Sequence, residues 1–186
     1  MPLQCFRFSP NIIMFLSGDW FTRIDPPIQP ALCKSEEFDL PAHPCRPDLV
    51  DDRLTTFLED IVMDKSRKQD LAIAVSEIAM NAMQHDSSDV KRTIRVHFLY
   101  IAPLFVLVGI TDTLGTLPDA VLQCDPTADA ALSKLSDHGR GIFISRQLTT
   151  MFGQVSSKDG TFKEIWVVID LNAKEVTRAI DTHVLP

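Results

Sequence analysis

Long apolar runs are missing from this chain. The segment "NIIMFL" falls far short of the ~20 apolar residues that a membrane-crossing helix needs. The first residues also lack the basic start and apolar stretch of a secretory signal. A soluble, cytoplasmic protein with no membrane attachment is the expectation. Positive charge is scarce as well: 18 Lys and Arg stand against 25 Asp and Glu, for a formal net charge of -7. General nucleic-acid binding sets Lys and Arg against phosphate, so direct nucleic-acid binding is not expected. Only four cysteines occur, Cys5, Cys33, Cys45 and Cys124, with no CxxC pair and no His at zinc-finger spacing. They read as free thiols in a reducing compartment. No internal repeat is visible.

What is present suits one globular domain with appendages: 186 residues, 45% hydrophobic and 23% charged. Residues 1–34 stand apart. Trp20 and several Phe residues argue against a simple disordered tail, while Pro26, Pro27 and Pro30 argue for an extended linker behind them. A hairpin or arm packed on the main domain fits, and so does a partner-binding segment.

From there the pattern alternates between periods. "EEFDLPAH", residues 36–43, reads as a short strand. Pro47 can open a helix, and Leu49, Val50, Leu54, Phe57, Leu58, Ile61 and Val62 follow a helical period. "KSRK" reads as a break, and a second helix follows Asp70 with Leu71, Ala74, Val75, Ile78 and Ala82 on one face. "TIRVHFL" alternates, with Ile94, Val96 and Phe98 on one side. "LFVLVGI" is apolar throughout, as a strand covered on both faces would be. A long segment follows to residue 138, of the length of a lid or binding loop. Its stretch "ADAALSKL" can hold a helical turn. "GRGIFISRQLTTMF" reads as a helix entered through glycines, and "GQVSSK" with "EIWVVIDL" as a closing hairpin. A short polar tail is expected from Asn172. This order predicts an α+β two-layer sandwich, with helices on one face of a mainly antiparallel sheet.

The helix "SEIAMNAMQH" raises a chemical question. Residues four apart share a helix face, so Glu77, Asn81 and His85 lie along one edge. A carboxylate there can take a proton, and a carboxamide oxygen suits a hard cation such as Mg2+. Such pairs are also frequent on solvated faces. Asp112 ends an apolar strand, where its carboxylate can accept from an exocyclic amine or start a turn. Gly139 and Gly141 precede a helix, where backbone amides can approach a phosphate. Gly160 and Thr161 fit a hairpin turn.

In this order the motifs resemble those of the GHKL ATPase superfamily, which includes gyrase, histidine kinases and the mismatch-repair ATPase. "SEIAMNAMQH" is similar to its N box, "TDTLGTLPDA" to its first glycine box, "GRGIFI" to the second and "GTFKEIWVVI" to the third. Within that group the chain most resembles the anti-sigma-factor serine kinases of bacterial partner-switching systems. The resemblance runs roughly from residue 38 to residue 171.

The resemblance implies a Bergerat-type fold, a domain over residues 35–171 with a lid at about 113–138, and tails at 1–34 and 172–186. It implies ATP and Mg2+ as cofactors. Glu77 would be the general base and Asn81 the Mg2+ ligand. Asp112 would hold the adenine amine. Gly115, Gly139, Arg140, Gly141, Ile142 and Thr161 would complete the nucleotide site, and Arg140 or Lys134 would neutralise a phosphate. The implied activity is ATP-dependent serine/threonine phosphorylation of a STAS-type anti-anti-sigma partner, coupled to sequestration of a sigma factor. A homodimer is implied as well, through a sheet face or the N-terminal arm. The first glycine box departs from D-x-G-x-G, since Asp112 is followed by Thr113, Leu114, Gly115 and Thr116. That departure supports an alternative, a catalytically weak or inactive protein-binding switch.

Overall fold

A computed structural model describes residues 33–42, 46–84, 92–112, 137–157, 163–172 and 179–185. The elements in chain order are β1 (Cys33–Pro41), α1 (Asp48–Leu58), α2 (Lys65–Gln84), β2 (Thr93–Ile101), β3 (Phe105–Asp112), α3 (Asp137–Leu148), β4 (Met151–Ser157), β5 (Lys163–Asp170) and β6 (Ala179–Leu185). They build a six-stranded sheet in the order β1-β2-β3-β5-β4-β6. Every strand pairing is antiparallel except that of β6, which runs parallel to β4.

The period-two pattern decides which face meets the helices. Ile94, Val96 and Phe98 of β2, Val106, Val108 and Ile110 of β3, and Ile165, Val167 and Ile169 of β5 point to one side. There they form one core with Val50, Leu54 and Phe57 of α1, Leu71, Val75 and Ile78 of α2, and Ile142 of α3. All three helices therefore lie on one face, and the α+β sandwich expected from the sequence is the observed fold. The predicted helical face of Leu71, Ala74, Val75, Ile78 and Ala82 is buried throughout.

Edge strand β1 joins this core through aromatic rings. Phe98 meets Phe38 edge-on, with centroids 5.4 Å apart, and Phe57 at 5.3 Å. Arg53 reaches Glu36 at 2.8 Å and lies over the Phe38 ring. That ion pair is about half exposed, so it contributes ~0–1 kcal/mol. Full burial of one large apolar side chain contributes ~1.5–3 kcal/mol, so ring packing dominates.

Several boundaries differ from the sequence expectation. "KSRK" is the start of α2 and not a break: the Asp64 carbonyl accepts from the Lys68 N–H at 3.0 Å. This first turn is solvated, so no apolar period marks it. Arg67 reaches from it to the Asp170 carbonyl, and Lys68 to that of Leu58. Helix α1 ends at Leu58, and Val62, counted with its apolar stripe, is 92% exposed beyond it. The polar tail expected from Asn172 contains β6, whose "AIDTHVL" carries β-branched residues at every second position. The stretch "ADAALSKL" and the lid lie outside the described residues.

The sheet's other face is buried too. Leu99, Leu107, Val168 and Met151 form one row across β2, β3, β5 and β4, each no more than 4% exposed. His97, Gly109, Trp166 and Gly153 form the next. A Cβ on Gly109 would overlap the His97 ring, and one on Gly153 the Trp166 ring. Both rings thus occupy the space over a neighbouring glycine. His97 Nε2 stands 3.1 Å from Glu164 Oε1, an ion pair when the imidazole is protonated, and Thr111 Oγ1 lies 3.4 Å from Glu164 Oε2.

Candidate functional site

The site is built where α3 crosses α2. Glu77 and Asn81 stand one turn apart on α2, both partly buried. Gly141 of α3 faces both of them. A Cβ on Gly141 would lie 2.5 Å from Glu77 Oε2, 3.1 Å from Asn81 Nδ2 and 3.4 Å from Glu77 Cβ. Glycine is required here for space: its backbone is helical and does not enter the left-handed region. From the sequence, Gly139 and Gly141 are expected before a helix. They lie inside it instead, because α3 begins at Asp137. The first N–H groups of a helix have no intrahelical acceptor, which leaves that of Gly139 among the donors at this end. Gly141 is the fifth residue, so its contribution is close approach and not a free amide.

Two buried contacts that the sequence does not reveal brace α2 at this site, and the first of them ties it to α3. Ser145, fully buried, has its Oγ 2.9 Å from the Ala74 carbonyl of α2 and 2.9 Å from the Gly141 carbonyl of its own helix. The available signal was a lone hydroxyl inside the apolar run "GIFIS". Arg92, also buried, donates through Nη2 to the Ala82 carbonyl near the C-terminus of α2. A cation there complements the helix dipole and fixes the turn that carries Asn81. Nothing in the local sequence marks Arg92 for that role.

Beside the site, Ser76 Oγ donates to Asp51 Oδ2 of α1 at 3.2 Å. Burial raises the Asp51 carboxyl above its ordinary value, with Asp52 and Asp48 adding in the same direction and the Ser76 hydrogen bond opposing them.

The remaining candidates are placed as follows. Asp112 ends β3 directly opposite the buried Lys163 of β5, two residues beyond helix-side Ile110. Arg140 is exposed in the first turn of α3. The Ile142 side chain is 1% exposed and belongs to the helix-side core. His85, Gly115, Lys134 and Thr161 lie outside the described residues.

Among known proteins, the sequence family described as Histidine kinase-like ATPase domain matches residues 40–169, well over half the chain. The chain belongs to that family. Its matched span begins within β1 and ends within β5, so it holds all three helices and the α2–α3 crossing. No curated protein sequence matches this ATPase-family chain.

Two solved structures are similar in fold. One comprises the RsbU and RsbW domains of a Mycobacterium tuberculosis protein, at a TM-score of 0.54 and 18% identity. That match covers 74% of this chain but only 32% of the other, so the ATPase-family chain spans about a third of its length. The second is the SiaB–SiaC complex of Pseudomonas aeruginosa, at a TM-score of 0.55 and 14% identity, covering 72% of this chain and 89% of the other.

Membership implies ATP, usually with Mg2+, and the crossing fits both. Gly141 lets the Glu77 carboxylate sit against the first turns of α3, in space that a Cβ would fill. Asn81 Nδ2 is buried there without a hydrogen-bond partner, a donor suited to a phosphate oxygen, while the cation would take its Oδ1. Among the described residues no group of three or more His, Cys, Asp or Glu is arranged to hold a metal. A Mg2+ ion would then draw on Asn81 together with phosphate and water oxygens, a mixture this cation favours. Among the described residues no helix is long and apolar enough to cross a membrane.

Proposed function

We propose that this chain is an ATP-dependent protein serine/threonine kinase that also sequesters a sigma factor, with a STAS-type anti-anti-sigma protein as its substrate. The observation that carries the reading is the convergence of Glu77 and Asn81 on Gly141, at the end of α3 that offers free amides. Phosphoryl transfer depends mostly on positioning and charge neutralisation. The amide of Gly139 and the exposed side chain of Arg140 suit an anionic phosphate, and Asn81 suits Mg2+, which when bound neutralises phosphate charge. Glu77 takes the proton of the acceptor hydroxyl as its oxygen bonds to the γ-phosphorus and ADP departs. Asp112 would receive the adenine amine, and Thr161 and Gly115 would complete the pocket. Support for a protein partner comes from the SiaB–SiaC neighbour, which was solved as a complex, and from the neighbour that carries an RsbW domain.

Purified chain with Mg–ATP should phosphorylate a STAS partner. The Glu77→Ala variant should lose transfer by roughly 10²–10⁴-fold, the usual contribution of a general base, while its ATP binding persists. Undiminished transfer by that variant removes Glu77 from the mechanism.

The altered first glycine box, Thr113 to Thr116, favours a second reading: a switch that binds partners without turnover. In that case partner binding survives, with or without nucleotide binding, while transfer is weak or absent.

A further inference from the structure

The sheet's second face poses a problem of cover. Leu99, Leu107, Phe105, Val168, Met151 and Trp166 are at most 4% exposed, yet none belongs to the core that the helices share with the sheet. All three helices occupy the opposite face. Strand β6 extends the sheet sideways in the plane of β4 and covers neither face. The described elements therefore leave a four-strand apolar surface whose burial they do not supply. It also holds His97 against Glu164, at side-chain exposures of 8% and 1%. Its apolar side chains, with two rings filling the space over glycines, suit an apolar layer and not a solvated one.

We infer that residues 1–32 of the same chain lie across this face. Three observations select that segment. It ends where edge strand β1 begins, at Cys33, so it is tethered to the border of the surface. Its composition fits an apolar seat: Phe6, Phe8, Ile13, Phe15, Trp20 and Phe21 stand among two Arg and two Asp, a net charge of zero in a chain of -7. Its length is sufficient. From β1 to β4 the sheet spans four strand spacings of ~4.8 Å, about 19 Å, whereas half of a 32-residue arm already reaches about 50 Å extended. The segment thus shields a surface that would otherwise promote association. This inference does not depend on the proposed kinase activity.

The two tryptophans make it testable in the full chain. Trp20 lies in the arm and Trp166 on the face. In a Trp20→Phe variant, Trp166 emission should be blue-shifted and protected from acrylamide, with protection unchanged on dilution of a species of monomer mass. Substituting Ile13→Asp and Phe15→Asp in that background should expose Trp166 to quencher while far-UV helicity is retained. A second measurement covers the case in which the charged variant fails to fold. With Cys33, Cys45 and Cys124 replaced by Ser and Cys5 carrying an acceptor dye, transfer from Trp166 should be efficient and independent of concentration. Protection that appears only in a dimer means that a second copy is the cover, and overturns the inference. Quenching at every concentration overturns it, as does undisturbed protection in a folded charged variant or absent transfer to labelled Cys5.

Discussion

Glycine in a helix costs about 0.5–1 kcal/mol relative to alanine, so Gly141 is retained against local helix stability. What it provides is room for the Glu77 carboxylate, since an added methyl would meet Oε2 at 2.5 Å. Gly141→Ala should therefore separate stability from activity. The flexible end of Glu77 can move aside, so the denaturation midpoint should stay level or rise, by at most about 1 kcal/mol. Phosphoryl transfer should fall by more than roughly tenfold. Parallel melting and transfer assays check both halves. Asp51 supplies a pH prediction at the same scale. Burial raises its carboxyl in the folded state, so the folded chain binds that proton more tightly than the unfolded one. Its contribution to stability then falls as pH rises from the ordinary value of 3.8 through the raised folded value, and stays low above it. Asp51→Asn keeps an acceptor for Ser76 and removes the charge. The variant should be the more stable protein at neutral pH, with the difference fading toward acid; urea midpoints across pH would show it. Glu77 and Asn81 were legible in the sequence because i,i+4 spacing alone puts two side chains on one face. Ser145 and Arg92 were not, because their partners, Ala74 and Ala82, are backbone carbonyls that no pattern of side chains reveals.

Elements were legible wherever one face is apolar and the other is not. The helix stripe of α2 and the alternation of β2 both survive into the structure. Boundaries failed where solvent contacts dominate. The charged first turn of α2 has no apolar member to mark it, and β6 is hidden in a segment whose mean character is polar. The glycines of "GRGIFI" were expected just before the helix, whereas both lie inside it and one of them lets two helices touch. The Ser145 contact belongs to this scale, since it fastens α3 to α2 beside the site. Ser145→Ala should cost about 1–2 kcal/mol, the usual effect of removing a satisfied buried hydroxyl. Because it loosens the crossing, it should weaken nucleotide binding as well. Urea denaturation and an ATP titration on the same preparation would test both effects.

The whole molecule divides its labour between the two faces of one sheet. The helix side holds the core and presents Glu77, Asn81 and the amino end of α3 together; the other side is an apolar surface with one buried His–Glu pair. The sandwich architecture was readable because the order of periods leaves few alternatives. The burial of the second face was readable only at β3, whose unbroken apolar run predicts cover on both sides; Leu99 and Trp166 would read the same on an open sheet. The account stands on a nucleotide seated at the α2–α3 crossing, and calorimetric titration of the full chain with ATP, with and without Mg2+, examines it directly. It predicts saturable binding at about one site per chain, weakened at least roughly tenfold when Mg2+ is withheld or Asn81 is replaced by Ala in a chain that stays folded. Absence of any ATP binding by the folded chain, with Mg2+ in excess, would contradict it.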